Sequence, residues 1–235
     1  MTIEQRRPDD QQPIQPQIDA LDPTELEGSI AAVTAATLAI FDADGAGVML
    51  VDGDEALHYI GTTDERSRRF EAAQERTGEG PCIDALLEDT IVSSTDIVLD
   101  PRWPDLTHEL EGTSIGGLLG VPIRLGGAPV GSLNVIRTQP WEWSDADISA
   151  VEAHARVIEE LMAAAMLARD RSGVVDQLQH ALENRVTIER AIGIVMARRG
   201  IDATRAFHHL RLRSRNERRP VREVAEEIVA EVGGR

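Results

Sequence analysis

Nine arginines stand between Arg198 and Arg222 against two acids, Asp202 and Glu217, in a chain whose formal net charge is −17. Guanidinium groups are planar, permanently charged and carry paired donors. Gathered in one stretch, they suit phosphate oxygens and the faces of unpaired bases. A local balance of +7 in so acidic a protein points to a polyanionic partner, with nucleic acid first. The candidate contacts are Arg198, Arg199, Arg205, His208, Arg211, Arg213, Arg215, Asn216, Arg218 and Arg219.

Other chemistries find little support. Cys82 is the single cysteine, so no internal disulfide forms, and a lone redox thiol is less expected than a small packed residue. The six histidines show no metal-ligand spacing with Cys or acids. The acids are spread as solvated faces without a catalytic pair, and no phosphate-cradling Gly-rich loop of the Walker type appears. No catalytic or metal residue is expected, and no cofactor is required. No apolar run reaches membrane-spanning length, and the N-terminal stretch is polar from Met1, so neither membrane contact nor a signal peptide is expected and the cytoplasm is the default.

The elements that must position the arginines follow from periodicity. All 24 basic residues are arginine; residues 1–172 carry a net −20 and residues 173–235 a net +3, so two domains with different partners are expected. Residues 1–22 are rich in Gln, Pro and Asp, and a disordered tail is expected there. Leu26, Ile30, Val33, Thr37, Leu38 and Phe41 mark a helix starting near Pro23. Strands are expected at 47–51, 57–61, 91–95, 118–125 and 129–137, with helices at 64–76, 82–87 and 106–110 between them. Strands mixed with helices, without strict βαβ alternation, predict an α+β domain with an antiparallel sheet.

The strings Gly78-Glu79-Gly80-Pro81-Cys82 and Asp100-Pro101-Arg102-Trp103-Pro104, with the hairpin from Gly120 to Val135, resemble a GAF domain. The likeness implies an antiparallel sheet with flanking helices over residues 23–168, used to bind a small ligand or a partner, or to dimerise.

A long helix begins at Ser144, where Ser144 and Asp147 form a capping-box-like pair. Ile148, Val151, Ala155, Ile158, Met162 and Ala165 step by threes and fours. They form an a/d stripe fit for a parallel homodimer seam, or for packing on the helix's own sheet.

After Gly173, three amphipathic helices are expected: one ending before Gly200, one capped by Asp202, and one opened by Pro220. Together they make a small three-helix bundle over 173–235. Ile188, Ala191, Gly193, Met196, Ala206, Phe207, Leu210, Arg211, Ser214, Asn216, Val224 and Ala225 resemble an ANTAR domain, the RNA-binding module of transcription antiterminators. Many members carry a lysine where this chain has Ile192. Ala191, Gly193, Ala206 and Phe207 are expected to be structural, Ala191 and Gly193 by permitting close helix packing. The acidic outer face of the last helix is expected to turn away from phosphates.

The two resemblances imply a signal-responsive regulator whose GAF-like half senses a small molecule or protein and whose bundle binds stem-loops in leader RNA. A DNA-binding activator and a ligand-binding dimer without a nucleic-acid partner are the alternatives. In the last of these, the acidic half could mask the basic face.

Overall fold

A computed structural model describes residues 23–51, 57–167 and 173–233. The expected tail, the Asp52-Gly53 turn and the side chains of Val174, Leu178, Ala181 and Leu182 lie outside the described residues.

Helix α1 (Pro23–Phe41) leads into the hairpin β1 (Gly45–Val51) and β2 (Leu57–Ile60). Helices α2 (Glu65–Thr77) and α3 (Pro81–Glu88) come next, then β3 (Val92–Ser94), a short 3-10 turn (Ile97–Leu99) and α4 (Pro104–Glu109). The hairpin β4 (Leu118–Leu125) and β5 (Ala128–Ile136) completes a five-stranded antiparallel sheet of order β2-β1-β5-β4-β3. Then follow α5 (Asp145–Leu167), α6 (Gly173–Arg199), α7 (Ala203–Glu217) and α8 (Val221–Gly233).

Local chemistry explains the boundaries. Asp64 accepts from Ser67 N at 2.7 Å and starts α2, while Gly78, at φ 72°, ends it in the left-handed conformation that glycine adopts without strain. At α5 the expected capping box is reciprocal. Ser144 N donates to Asp147 Oδ2 at 3.0 Å, and Asp147 N donates to Ser144 Oγ at 3.2 Å. Pro220 sits one position earlier than expected. Its carbonyl accepts from Glu223 and Val224, so it flanks α8 and Val221 is the first helical residue.

Strand alternation sorts the sheet into two faces. Val48, Leu50, Leu119, Val121, Ile123, Leu133 and Val135 pack against α1 and α5. This corrects the dimer-seam expectation: Val151, Ala155, Ile158, Met162 and Ala165 are buried within the chain itself, with Ile148 packed at the edge of the same cluster. An a/d stripe facing an apolar sheet is satisfied intramolecularly, and periodicity cannot tell the two settings apart. Thr37 Oγ1, 2.8 Å from His154 Nδ1, ties α1 to α5.

The opposite face carries Met49, Val51, Leu118 and Ile136 beneath α2, α3 and α4. The same cluster runs on into the C-terminal helices through Ile188, Ala191, Val195, Ala206, Phe207, Leu210, Val224 and Ile228. A bundle of some 60 residues buries little surface alone, and continuity with the core of the sheet domain enlarges what it shares.

Candidate nucleic-acid interface and buried polar cluster

Helix α7 carries most of the candidate contacts. Asp202 caps its N-terminus, accepting from Arg205 N at 2.8 Å, and Arg218 closes its C-terminus at φ 53°. Ala206, Phe207 and Leu210 point into the bundle and are fully buried. Ala191 of α6 is buried too, as helix packing requires. Gly193 is not: it is exposed, and a Cβ built there would meet nothing within 4 Å. The expectation that it permits close helix packing is therefore corrected.

The arginines divide into three settings. Arg199, Asn216 and Arg218 are exposed, and neither of these arginines carries an ion pair among the described residues. Arg205 is held only loosely, 3.7 Å from Asp202. A second group is paired with acids, mostly from α8. Arg198 meets Glu231 at 2.7 Å, Arg213 bonds Glu217 and Glu227, and Arg219 meets Glu227 at 2.8 Å and Glu223 at 3.3 Å. So α8 does not turn all its acids away, correcting the sequence expectation. Exposed pairs of this kind are worth about 0–1 kcal/mol, which leaves the guanidinium groups exchangeable toward phosphate.

The third group faces the sensor half. Arg211 is 6% exposed, its Cζ 5.9 Å from the Phe207 ring centroid, so it is a buried residue and not a surface contact. Arg215 donates to Glu75 O at 2.8 Å, and His208 is half-buried against Gly78. Burial, then the charges of Arg211 and Arg215, push the His208 imidazole toward its neutral form.

The sheet domain buries a cluster of polar side chains between the sheet and α2 and α3. Asn134 on β5 lies between Gly47 of β1 and Gly120 of β4, so no side chain flanks it across the sheet. A Cβ at Gly47 would stand 2.0 Å from Glu71 Oε1, so the bare backbone is what lets that carboxyl reach the sheet. Asn134 is 1% exposed with neither side-chain amide atom bonded, and the buried Ser132 hydroxyl beside Cys82 finds no well-formed hydrogen bond. Buried polar groups are nearly always satisfied, so these two stand out as unpartnered donors and acceptors in the core. Tyr59 OH donates to Glu71 O at 2.7 Å, and Gln74 Nε2 donates to Cys82 Sγ at 2.7 Å. Burial pushes the Glu71 carboxyl up to about 8, against smaller opposing effects of the Thr62 hydrogen bond and Arg68. It also pushes the Cys82 thiol up, which disfavours thiolate chemistry.

Between the halves lies a cavity of about 350 Å³, lined by Glu79, Asp84 and Arg102 from one side and Asp202, Thr204 and His208 from the other. No cluster of three or more metal-ligating side chains occurs among the described residues, and no described helix is long and apolar enough to cross a membrane.

Sequence reasoning missed the contacts that join the halves. Thr204 Oγ1 donates to Asp84 Oδ1 at 2.7 Å, and Arg185 of α6 donates to Pro129 O and Leu86 O. Nothing local signals these pairings. Ser132 and Asn134 were findable, since they alternate with Leu133 and Val135 on a strand whose other residues are apolar.

Comparison with known proteins matches residues 25–162 to the GAF domain and residues 176–229 to the ANTAR domain. Both are regulatory domains. No curated protein matches the chain. Among solved structures, the third GAF domain of a Synechocystis sp. protein, determined as its photoproduct state, is 16% identical with a TM-score of 0.52. The match covers 63% of this chain and 99% of that one. A domain described as part of a two-component sensor histidine kinase from Sinorhizobium meliloti is 16% identical with a TM-score of 0.51, covering 62% and 97%. At this identity the likeness establishes the fold alone.

Proposed function

Since the chain belongs to the GAF family and continues into an ANTAR domain, we propose that it is a cytoplasmic, signal-responsive regulator that binds stem-loops in leader RNA and favours transcription antitermination. The GAF half senses a small molecule or a protein, and the bundle holds the RNA. The observation that carries this reading is α7 with its flanks. Around an intact buried core, α7 and the links on either side of it present Arg199 and Arg205 at the N-terminal end of the helix and Arg213, Asn216, Arg218 and Arg219 toward its C-terminal end. Planar guanidinium groups there pair with phosphates and stack on splayed loop bases.

The unsatisfied Asn134 and Ser132 support a ligand in the sensor half. A homodimer remains part of the proposal, moved from the buried seam to the outer side of α1 and α5, where Ile40 and Val157 are exposed. Two bundles tethered in a dimer engage two adjacent loops with a high effective concentration.

A titration tests the proposal. The full chain is mixed with a hexaloop stem-loop RNA, with the same stem carrying an altered loop, and with the matched DNA duplex, at low and physiological salt. Stacking is worth about 1–3 kcal/mol per base, so altering the loop is expected to weaken binding at least about tenfold. Equal binding to all three, governed by salt alone, would contradict a specific RNA function and return the duplex-binding alternative.

A further inference from the structure

Thr204, His208, Arg211 and Arg215 occur at i, +4, +7 and +11, which places them on one stripe of α7. Every member of that stripe is engaged with the sensor half or buried beside it. Thr204 donates to Asp84 at 2.7 Å, and Arg215 donates to Glu75 O at 2.8 Å with its guanidinium 3.8 Å from Glu75 Oε1. Arg211 is 6% exposed, and its charge is felt at Tyr59. His208 occupies the space that a side chain at Gly78 would need, since a Cβ there would lie 1.9 Å from His208 Nδ1. The docking seat combines Asp84 of α3 with the C-terminal end of α2, whose last carbonyls carry partial negative charge and favour an arginine.

We propose that this seat and RNA compete for the same stripe of α7, so that the sensor half masks part of the RNA-binding face until α7 is released. This inference rests on the RNA-binding reading and adds its regulation. His208, Arg211 and Arg215 are three of the ten candidate contacts, and in the docked chain they are turned toward protein. Arg199 and Arg205 near the N-terminus of α7 and Arg218 at its C-terminus are exposed and stay available for a first, weaker encounter.

The seat is also placed to receive a signal. Glu71 and Gln74 of α2 belong to the buried polar cluster that holds Asn134 and Cys82. Glu75 and Gly78, one turn on, hold Arg215 and His208. A ligand that moves α2 at the first pair displaces it at the second. It need only bind the released arrangement better than the docked one.

Glu75→Arg sets a like charge against Arg215 on a half-buried helix position and leaves all ten candidate contacts intact. Two readouts are taken on the full chain: hydrogen exchange of backbone amides 75–84 with and without a hexaloop stem-loop RNA, and affinity for that RNA by fluorescence anisotropy. RNA is expected to accelerate exchange at 75–84 in the wild-type chain. E75R is expected to show faster exchange there without RNA and to bind about tenfold tighter, as for a competent state raised from a minor to a major population. Wild-type chain that binds RNA with exchange at 75–84 unchanged would overturn the competition. So would E75R with an opened seat and unaltered affinity. Circular dichroism matching wild type guards against a misfolded variant, and Glu75→Gln, which removes the attraction without adding repulsion, should give a smaller change in the same direction. No RNA binding by either chain, with the seat opened in E75R, would instead overturn the RNA reading and with it this inference.

Discussion

Trp103→Ala is expected to be the most destabilising single substitution in the sensor half. Trp103 is 1% exposed within the core cluster that continues into the C-terminal helices. Truncating a buried tryptophan costs about 3–5 kcal/mol in lost packing and cavity formation. A second cost comes from its indole, whose Nε1 donates to Asp84 Oδ2 at 2.7 Å. The other Asp84 oxygen accepts from Thr204, so this one carboxylate is held by one residue from each half. Removing the indole leaves it half-satisfied in a partly desolvated site, adding about 1–3 kcal/mol. For a chain of this size, the sum of about 4–8 kcal/mol corresponds to a fall in melting temperature of roughly 10–30 °C. Trp103→Phe keeps much of the volume and loses the donor, so its smaller loss isolates the hydrogen bond. A W103A melt within about 2 °C of wild type would contradict the packing described.

Glu71→Gln is expected to change how stability depends on pH. The folded carboxyl, pushed up to about 8 by burial, lies above its ordinary 4.5. Between those values the folded chain keeps a proton that the unfolded chain has lost. The contribution of Glu71 is therefore fully present below about 4.5, is lost as pH rises toward 8, and changes no further above it. The slope approaches about 1.4 kcal/mol per pH unit within the window. Glutamine imitates the neutral acid, so urea melts at pH 5, 6.5 and 8 should show wild type losing stability relative to E71Q as pH rises. Parallel curves would show that Glu71 titrates normally.

Much of the scaffold was legible because its signals are local. The β4–β5 hairpin around Gly126-Gly127, the Ser144–Asp147 cap and the Asp202 cap rest on neighbours within a few residues, and the structure has each of them. What sequence alone misplaced depends on partners far along the chain. The α5 stripe has a period that fits a second helix or a sheet equally well, and only the fold supplies β4 as the partner. Arg211 looks like any other member of a basic run, yet its place on the α7 stripe turns it inward, its guanidinium 5.9 Å from the Phe207 ring centroid. The pairing of Arg213 and Arg219 with Glu227 depends on the angle at which α8 returns across α7, which the link around Pro220 does not encode by itself.

The absence of lysine makes the central claim directly measurable. An arginine-selective reagent such as phenylglyoxal samples every permanently charged side chain of this protein, and mass spectrometry locates each modification. With a hexaloop stem-loop RNA bound, protection is expected at Arg199, Arg205, Arg213, Arg215 and Arg218, with Arg66, Arg68 and Arg69 of α2 unchanged. Protection centred on α2, or spread evenly over the chain, would contradict an RNA interface built on α7.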